Sequence, residues 1–108
     1  MCSILGIYNL DKNKNEFDEK FIHDGFKLME HRGPDNKSFN IIDSKMLFAH
    51  QRLSILDIDR RSDQPMKYND SWITFNGEIY NFKFLQKKYL SGEKMKTTSD
   101  TEVLIRCL

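Results

Sequence analysis

The sequence predicts an α+β fold in which antiparallel sheets carry helices on their faces. Two observations predict it. Short apolar runs recur between turn-forming dipeptides, and segments with apolar residues at helical spacing are interleaved with them. A third observation bounds the size, because 108 residues suffice for one small domain with one core.

Residues 3–9 read as a buried first strand, ended by a polar turn over 11–15. Phe17, Phe21, Ile22, Gly25, Leu28 and Met29 then recur at helical spacing. With Asp18 and Glu19 in the first turn, they predict an amphipathic helix over 17–30. Gly33-Pro34-Asp35 ends it, since proline disfavours helix in the residue before it. Phe39 and Ile41 alternate with polar neighbours and 45–50 forms a second run, which predicts a hairpin turning at Asp43-Ser44. Residues 53–58 are another apolar stretch, followed by a charged loop over 59–63 and Gln64-Pro65. A strand over 72–75 stops at Asn76-Gly77, a dipeptide suited to positive φ.

Phe82, Leu85, Tyr89 and Leu90 predict a helix closed by Ser91-Gly92. Ser99-Asp100-Thr101-Glu102 has the capping-box form ahead of an apolar run. The order is strands, helix, several strands, helix, strand, helix. The apolar segment 103–108 is left hanging, so the chain reads as truncated.

Charge is nearly balanced, 17 basic against 16 acidic residues, and a net +1 gives no reason to expect nucleic acid or an anionic membrane surface. The apolar opening over 4–8 is far shorter than a signal-peptide core or the ~20 residues of a membrane span. Cys2 and Cys107 are the two cysteines, and with no secretory signal a reduced, cytoplasmic setting is expected. Cys107 lies in the closing apolar run and reads as core filler. His23, His31 and His50 show no metal-ligand spacing, so no metal site is expected.

Chemistry enters at Met1-Cys2. Removal of the initiator would put a thiol and a free α-amine on one carbon. Such an amine ordinarily titrates at about 7.7–8.0 and a thiol at about 8.5, so the amine can take the thiol's proton near neutral pH without a histidine. On its own, Cys2 is more simply a small buried residue at the head of a strand. Four further clusters stand beside it: His31-Arg32-Gly33-Pro34-Asp35, His50-Gln51-Arg52-Leu53-Ser54-Ile55-Leu56-Asp57, Asn76-Gly77-Glu78-Ile79-Tyr80-Asn81 and Ser99-Asp100-Thr101-Glu102. Taken singly, each has a structural reading. Arg52 could pair with Asp57 or Asp59 at the surface, Asn76-Gly77 could be a hairpin turn, and Asp100 could be a second helix cap behind Ser99. His50 reads as a packed or hydrogen-bonded residue.

Together, and in this order, the clusters resemble the glutaminase domain of glutamine-hydrolysing asparagine synthetases. That domain is a class II glutamine amidotransferase of the N-terminal nucleophile hydrolases. The resemblance covers essentially all of 1–108 and implies the N-terminal portion of such a domain in a four-layer αββα sandwich. The rest of the domain and an ATP-dependent synthetase domain would be absent.

It further implies that Cys2 is the nucleophile, with its own amine as base. The Asn76 amide and the Gly77 N–H would be the oxyanion donors, with glycine allowing close approach and an unusual φ. Arg52 would hold the α-carboxylate of glutamine, Asp100 its α-ammonium, and Leu53, Ser54, Ile55, Leu56 and Glu78 would line the pocket. His31 to Asp35 would form a sharp turn bracing the wall.

The glutaminase half would need no cofactor, while ATP and Mg belong to the synthetase domain of the parent. Glutamine and an ammonia-accepting synthetase domain are the implied partners, and a homodimer of the parent is allowed. Hexosamine-forming and purine-pathway members tend to lack the His-Arg-Gly-Pro-Asp and Asn-Gly-Glu-Ile-Tyr-Asn strings. Alternatives within and beyond the resemblance are a related amidotransferase with a sugar or other carboxylate acceptor, a catalytically inactive fragment that only binds, and a redox-sensing thiol protein using Cys2.

Overall fold

Asp43 and Ser44 hold φ of 51° and 57°, the signs that a tight right-twisting hairpin turn needs. The Lys45 N–H closes the turn on the Ile42 carbonyl at 3.1 Å. This turn joins β2 (Asn36–Ile42) to β3 (Met46–Arg52), and β1 (Ser3–Tyr8) adds to the other edge of β3. All pairings are antiparallel and the order is β1-β3-β2. The computed structural model describes residues 2–11, 13, 16–53 and 60–108.

One face of this sheet is covered by α1 (Glu19–Met29). Asp18 caps the helix by accepting the Lys20 N–H at 2.9 Å, which places its start two residues later than the apolar spacing predicts. Phe17 therefore lies before the cap and packs on the cluster that holds Ile22, in the manner of a hydrophobic staple. The core is Ile22 and Phe26 against Leu47 and Ala49, with Leu5, Ile7 and Met29 around it. Gln51 ties the layers together. Its amide donates to the Phe26 carbonyl at 2.9 Å, satisfying one of the acceptors that a helix C-terminus leaves open.

Two expectations about burial need correction, that of the α1 stripe and that of the first strand. Phe21 and Leu28 are 56% and 76% exposed, while Phe26, absent from the expected stripe, is buried. The buried stripe runs Ile22, Phe26, Met29, and Phe21 and Leu28 lie to one side of it. The first strand is only half buried, because alternation sends Leu5 and Ile7 under α1 and leaves Ile4 and Tyr8 on the far, exposed face. Phe39 and Ile41 share the helix side but are half exposed on edge strand β2, beyond the main footprint of α1.

A single 3₁₀ turn over Arg60–Ser62 leads into β4 (Met66–Tyr68), which turns at Asn69 (φ 51°) into β5 (Ser71–Ile73). β4 was not legible in the apolar pattern, being three residues long with a lysine at its centre. The apolar stretch expected over 53–58 lies outside the described residues except for Leu53. Helix α2 (Phe82–Tyr89) ends as expected, with Gly92 at φ 91° turning the chain away. No strand separates it from α3 (Asp100–Cys107), as residues 93–99 are irregular. Helix α3 packs on α2, β4 and β5. Cys107 is exposed rather than core, because the buried side of α3 is formed by Val103 and Ile105. No helix among the described residues is long and apolar enough to cross a membrane.

The capping box at α3 is only half made. The Ser99 hydroxyl accepts the Glu102 N–H at 3.2 Å, as the motif predicts. Glu102 does not return the bond, and the Ser99 N–H donates to the Thr97 hydroxyl instead. The Glu102 carboxylate accepts the Lys96 and Thr97 N–H groups, the Thr97 hydroxyl and the Arg106 guanidinium. Arg106 also pairs with Glu93 at 2.8 Å and lies 4.6 Å from the centre of the Tyr68 ring.

Candidate active site

Antiparallel register brings the site together. Ser3 opposes Gln51, so the residue before β1 and the residues at the end of β3 share one end of the sheet. There the Leu53 N–H points at the Cys2 Sγ at 3.4 Å, and the Leu53 carbonyl lies 3.6 Å from the same sulfur. Cys2 is half buried. The turn after α1 abuts the same end. A Cβ on Gly33 would come within 2.5 Å of the Gln51 carbonyl carbon and oxygen, so only glycine lets this turn sit on the β3 backbone. The Asp35 N–H then donates to the Arg52 carbonyl at 3.0 Å. His31-Arg32-Gly33-Pro34-Asp35 is thus a sharp turn against the strand that carries Arg52.

Arg52 is 5% exposed and donates to Asp63 at 2.8 Å. Its observed ion-pair partner is therefore Asp63, in the partly buried loop after the 3₁₀ turn. Asp57 and Asp59, the partners weighed from sequence, lie outside the described residues, as do Ser54, Ile55 and Leu56. Asp100 is buried and accepts the Ile79 N–H at 2.9 Å. That bond anchors the 76–81 segment onto α3, so the carboxylate serves a neighbouring loop instead of acting as a second cap.

Cys2, Arg52, Leu53, Gly77, Glu78 and Asp100 line a single pocket. Asn76 does not. Its side chain is exposed, although its neighbours Phe75 and Gly77 are in the wall. Asn76-Gly77 is not a hairpin turn either, since neither residue has a left-handed φ. A Cβ at Gly77 would meet the tip of the Phe75 ring at 2.8 Å, so any larger residue there has to displace that side chain.

The structure adds residues that sequence reasoning passed over. Gln64 is buried, accepts the Phe75 N–H through Oε1 at 2.5 Å, and donates to the Thr101 hydroxyl at 3.2 Å. Its own carbonyl accepts the Ser38 hydroxyl. One side chain thus holds the loop after β5 to α3 across the pocket floor. A polar residue beside a proline between apolar runs was the only available hint. Gln64→Leu leaves the Phe75 N–H and the Thr101 hydroxyl without this partner, and is expected to lower stability by about 1–3 kcal/mol. A fall in the urea midpoint at constant m-value would register it, and an unchanged midpoint would count against the strut.

His50 is 1% exposed on the sheet face away from α1, with Nε2 3.3 Å from the Phe75 carbonyl. Because a carbonyl only accepts, Nε2 carries the proton in this arrangement. Burial holds its pKa below the ordinary 6.5. The Arg52 charge acts in the same direction, while the Phe75 carbonyl and Asp63 oppose it. His50 is thus a neutral, packed residue that braces the Phe75 loop.

The pocket therefore joins a thiol, a guanidinium already paired on one side, and a carboxylate anchored to a backbone N–H. Ser62, Ser99 and Thr101 also contribute to its wall. The sequence profile of the glutamine amidotransferase domain matches residues 1–108. Among similar relatives, glutamine-hydrolysing asparagine synthetase 1 of Bacillus subtilis (strain 168) is 38% identical over 97% of this chain and 17% of its own length. The second such enzyme of that organism is 42% identical over 97% of this chain and 14% of its own length. Glutamine-hydrolysing asparagine synthetase B of Escherichia coli (strain K12) is 37% identical, again over 97% of this chain, and 19% of its own length is covered. The chain thus spans less than a fifth of these relatives. With the whole chain matched, this protein belongs to the glutamine amidotransferase domain family, and the three relatives just named are glutamine-hydrolysing asparagine synthetases.

Proposed function

We propose that this chain carries the glutamine-hydrolysing step of an asparagine synthetase, releasing ammonia for ATP-dependent amidation of aspartate. The observation that carries the reading is the meeting of Cys2, Arg52 and Asp100 in one pocket of an amidotransferase-family chain. A zwitterionic amino acid needs one cation and one anion at fixed separation, and its side-chain amide needs a nucleophile within reach. Arg52 takes the α-carboxylate and Asp100 the α-ammonium. Leu53 and Glu78 border the chain of the substrate.

With Met1 removed, the α-amine of Cys2 accepts the thiol proton and the sulfur attacks the amide carbon of glutamine. The oxyanion is received by the Gly77 N–H in the pocket wall and by the Asn76 amide, exposed beside it. The carbon–nitrogen bond breaks as the ammonium returns its proton to the leaving ammonia. Water then adds to the Cys2 thioester with the amine again as base, giving glutamate and the free thiol.

On this reading, residues 1–108 are the N-terminal portion of the domain. Further strands would complete a four-layer αββα sandwich over the open sheet face that exposes Ile4 and Tyr8. The synthetase domain, with its ATP and Mg, lies outside these residues and is the partner that consumes ammonia. No step at Cys2 uses either of them. A cytoplasmic setting and homodimerisation of the parent belong to the same proposal.

The test is intact mass before and after an electrophilic glutamine analogue, with excess glutamine as competitor. Loss of Met1 and one adduct on Cys2 that glutamine prevents is the expected result. Met1 loss with no adduct, or an adduct indifferent to glutamine, would overturn the reading.

A further inference from the structure

The Ser62 side chain is 2% exposed, yet its Oγ has no hydrogen-bond partner among the described residues. A buried hydroxyl left unpaired costs about 1–3 kcal/mol, so such groups are rare and call for a reason. Thr74 Oγ1 is in the same condition but does not line the pocket, whereas Ser62 does, in company with Arg52.

The chemistry around Ser62 indicates what it would bind. Its chain neighbour Asp63 occupies one side of the Arg52 guanidinium at 2.8 Å. A ligand carboxylate arriving at Arg52 therefore meets a cation already partly neutralised and a like charge beside it. A neutral donor next to Asp63 offsets that repulsion, and a serine hydroxyl can donate one hydrogen bond. We propose that Ser62 is a further substrate-binding residue, whose hydroxyl donates to the α-carboxylate of the bound amino acid beside Arg52. This deepens the glutamine-pocket reading and rests on it.

Calorimetric titrations in a Cys2→Ala background separate the two ideas, because binding is then read without turnover. The protein with Ser62 intact is titrated with L-glutamine, then with 4-aminobutanamide, which is glutamine without its α-carboxylate. Ser62→Ala is expected to weaken L-glutamine binding about tenfold or more, as for a hydrogen bond to a charged group, and to change 4-aminobutanamide binding less than about twofold. The unfolding midpoint without ligand should hold or rise, since the substitution deletes a buried group with no hydrogen-bond partner among the described residues.

An equal loss for both ligands, no loss for glutamine, or a lower ligand-free midpoint would each overturn the proposal. If the protein with Ser62 intact fails to bind L-glutamine, the pocket reading itself falls and this inference falls with it.

Discussion

Cys2→Ala is expected to reduce glutamate release from glutamine by at least about 10⁴-fold, because Cys2 is the nucleophile of the proposed mechanism and its loss removes the covalent route as a whole. What remains is the modest rate that oriented donors give to water. The fold should notice little. Cys2 is half buried, and among the described residues its sulfur meets the Leu53 backbone through two long contacts of 3.4 and 3.6 Å. A change of less than about 1 kcal/mol in unfolding free energy is expected from so small a deletion. The informative result is this split between activity and stability. Glutaminase activity retained by the alanine variant would remove Cys2 from the chemistry, and a collapse of the unfolding midpoint would make it a structural residue.

Glu102→Ala should have the largest effect on stability, about 2–4 kcal/mol, because it takes from Arg106 one of its two carboxylate partners among the described residues and leaves several buried donors without their acceptor. Glu102 is 4% exposed and gathers the Lys96 and Thr97 N–H groups, the Thr97 hydroxyl and Arg106 around one carboxylate. Burial alone would push its pKa up. The hydrogen bonds from Lys96, from the Thr97 hydroxyl and N–H, and from Arg106 together outweigh burial and hold it below the ordinary carboxylate range. Arg106 answers in the same sense: burial works to lower its pKa, and its bonds to Glu93 and Glu102 raise it.

The sign of the linkage follows. A carboxyl whose folded pKa lies below its unfolded value binds fewer protons in the native state. Its stabilisation is complete above the unfolded value of about 4.3 and is lost as pH falls through the lower folded value. Urea midpoints between neutral pH and about pH 3 should therefore drop less steeply at the acid end in Glu102→Gln than in the parent. Parallel curves would show that this carboxylate does not govern the acid limb.

The difference between what could be read from sequence and what could not follows contact range. The Asp43-Ser44 turn, the Ser99 cap and the end of α2 at Ser91-Gly92 depend on residues within a few positions of one another, and each formed as the local pattern predicts. Helix α1 was legible as a helix but not in its orientation. Which of Phe21, Phe26 and Leu28 goes inside depends on how it docks on β3, which its own spacing does not encode. The short β4–β5 hairpin carries too few apolar residues to announce itself.

The site divides in the same way. The sequence by itself determined which groups the proposed site can draw on, the Cys2 thiol, the Arg52 guanidinium and the Glu78 and Asp100 carboxylates, because that chemistry is a property of residue type. Only the tertiary structure decided the partners: Asp63 for Arg52, the Ile79 N–H for Asp100, and Gln64 between Phe75 and Thr101. It also left Asn76 exposed, and Ser62 buried with no hydrogen bond among the described residues. These are matters of which backbone or side chain arrives from 11 to 37 positions away. The physical reason is that a hydrogen bond is satisfied by whatever lies within about 3 Å, and only the docking of sheet, loop and helix settles what that is.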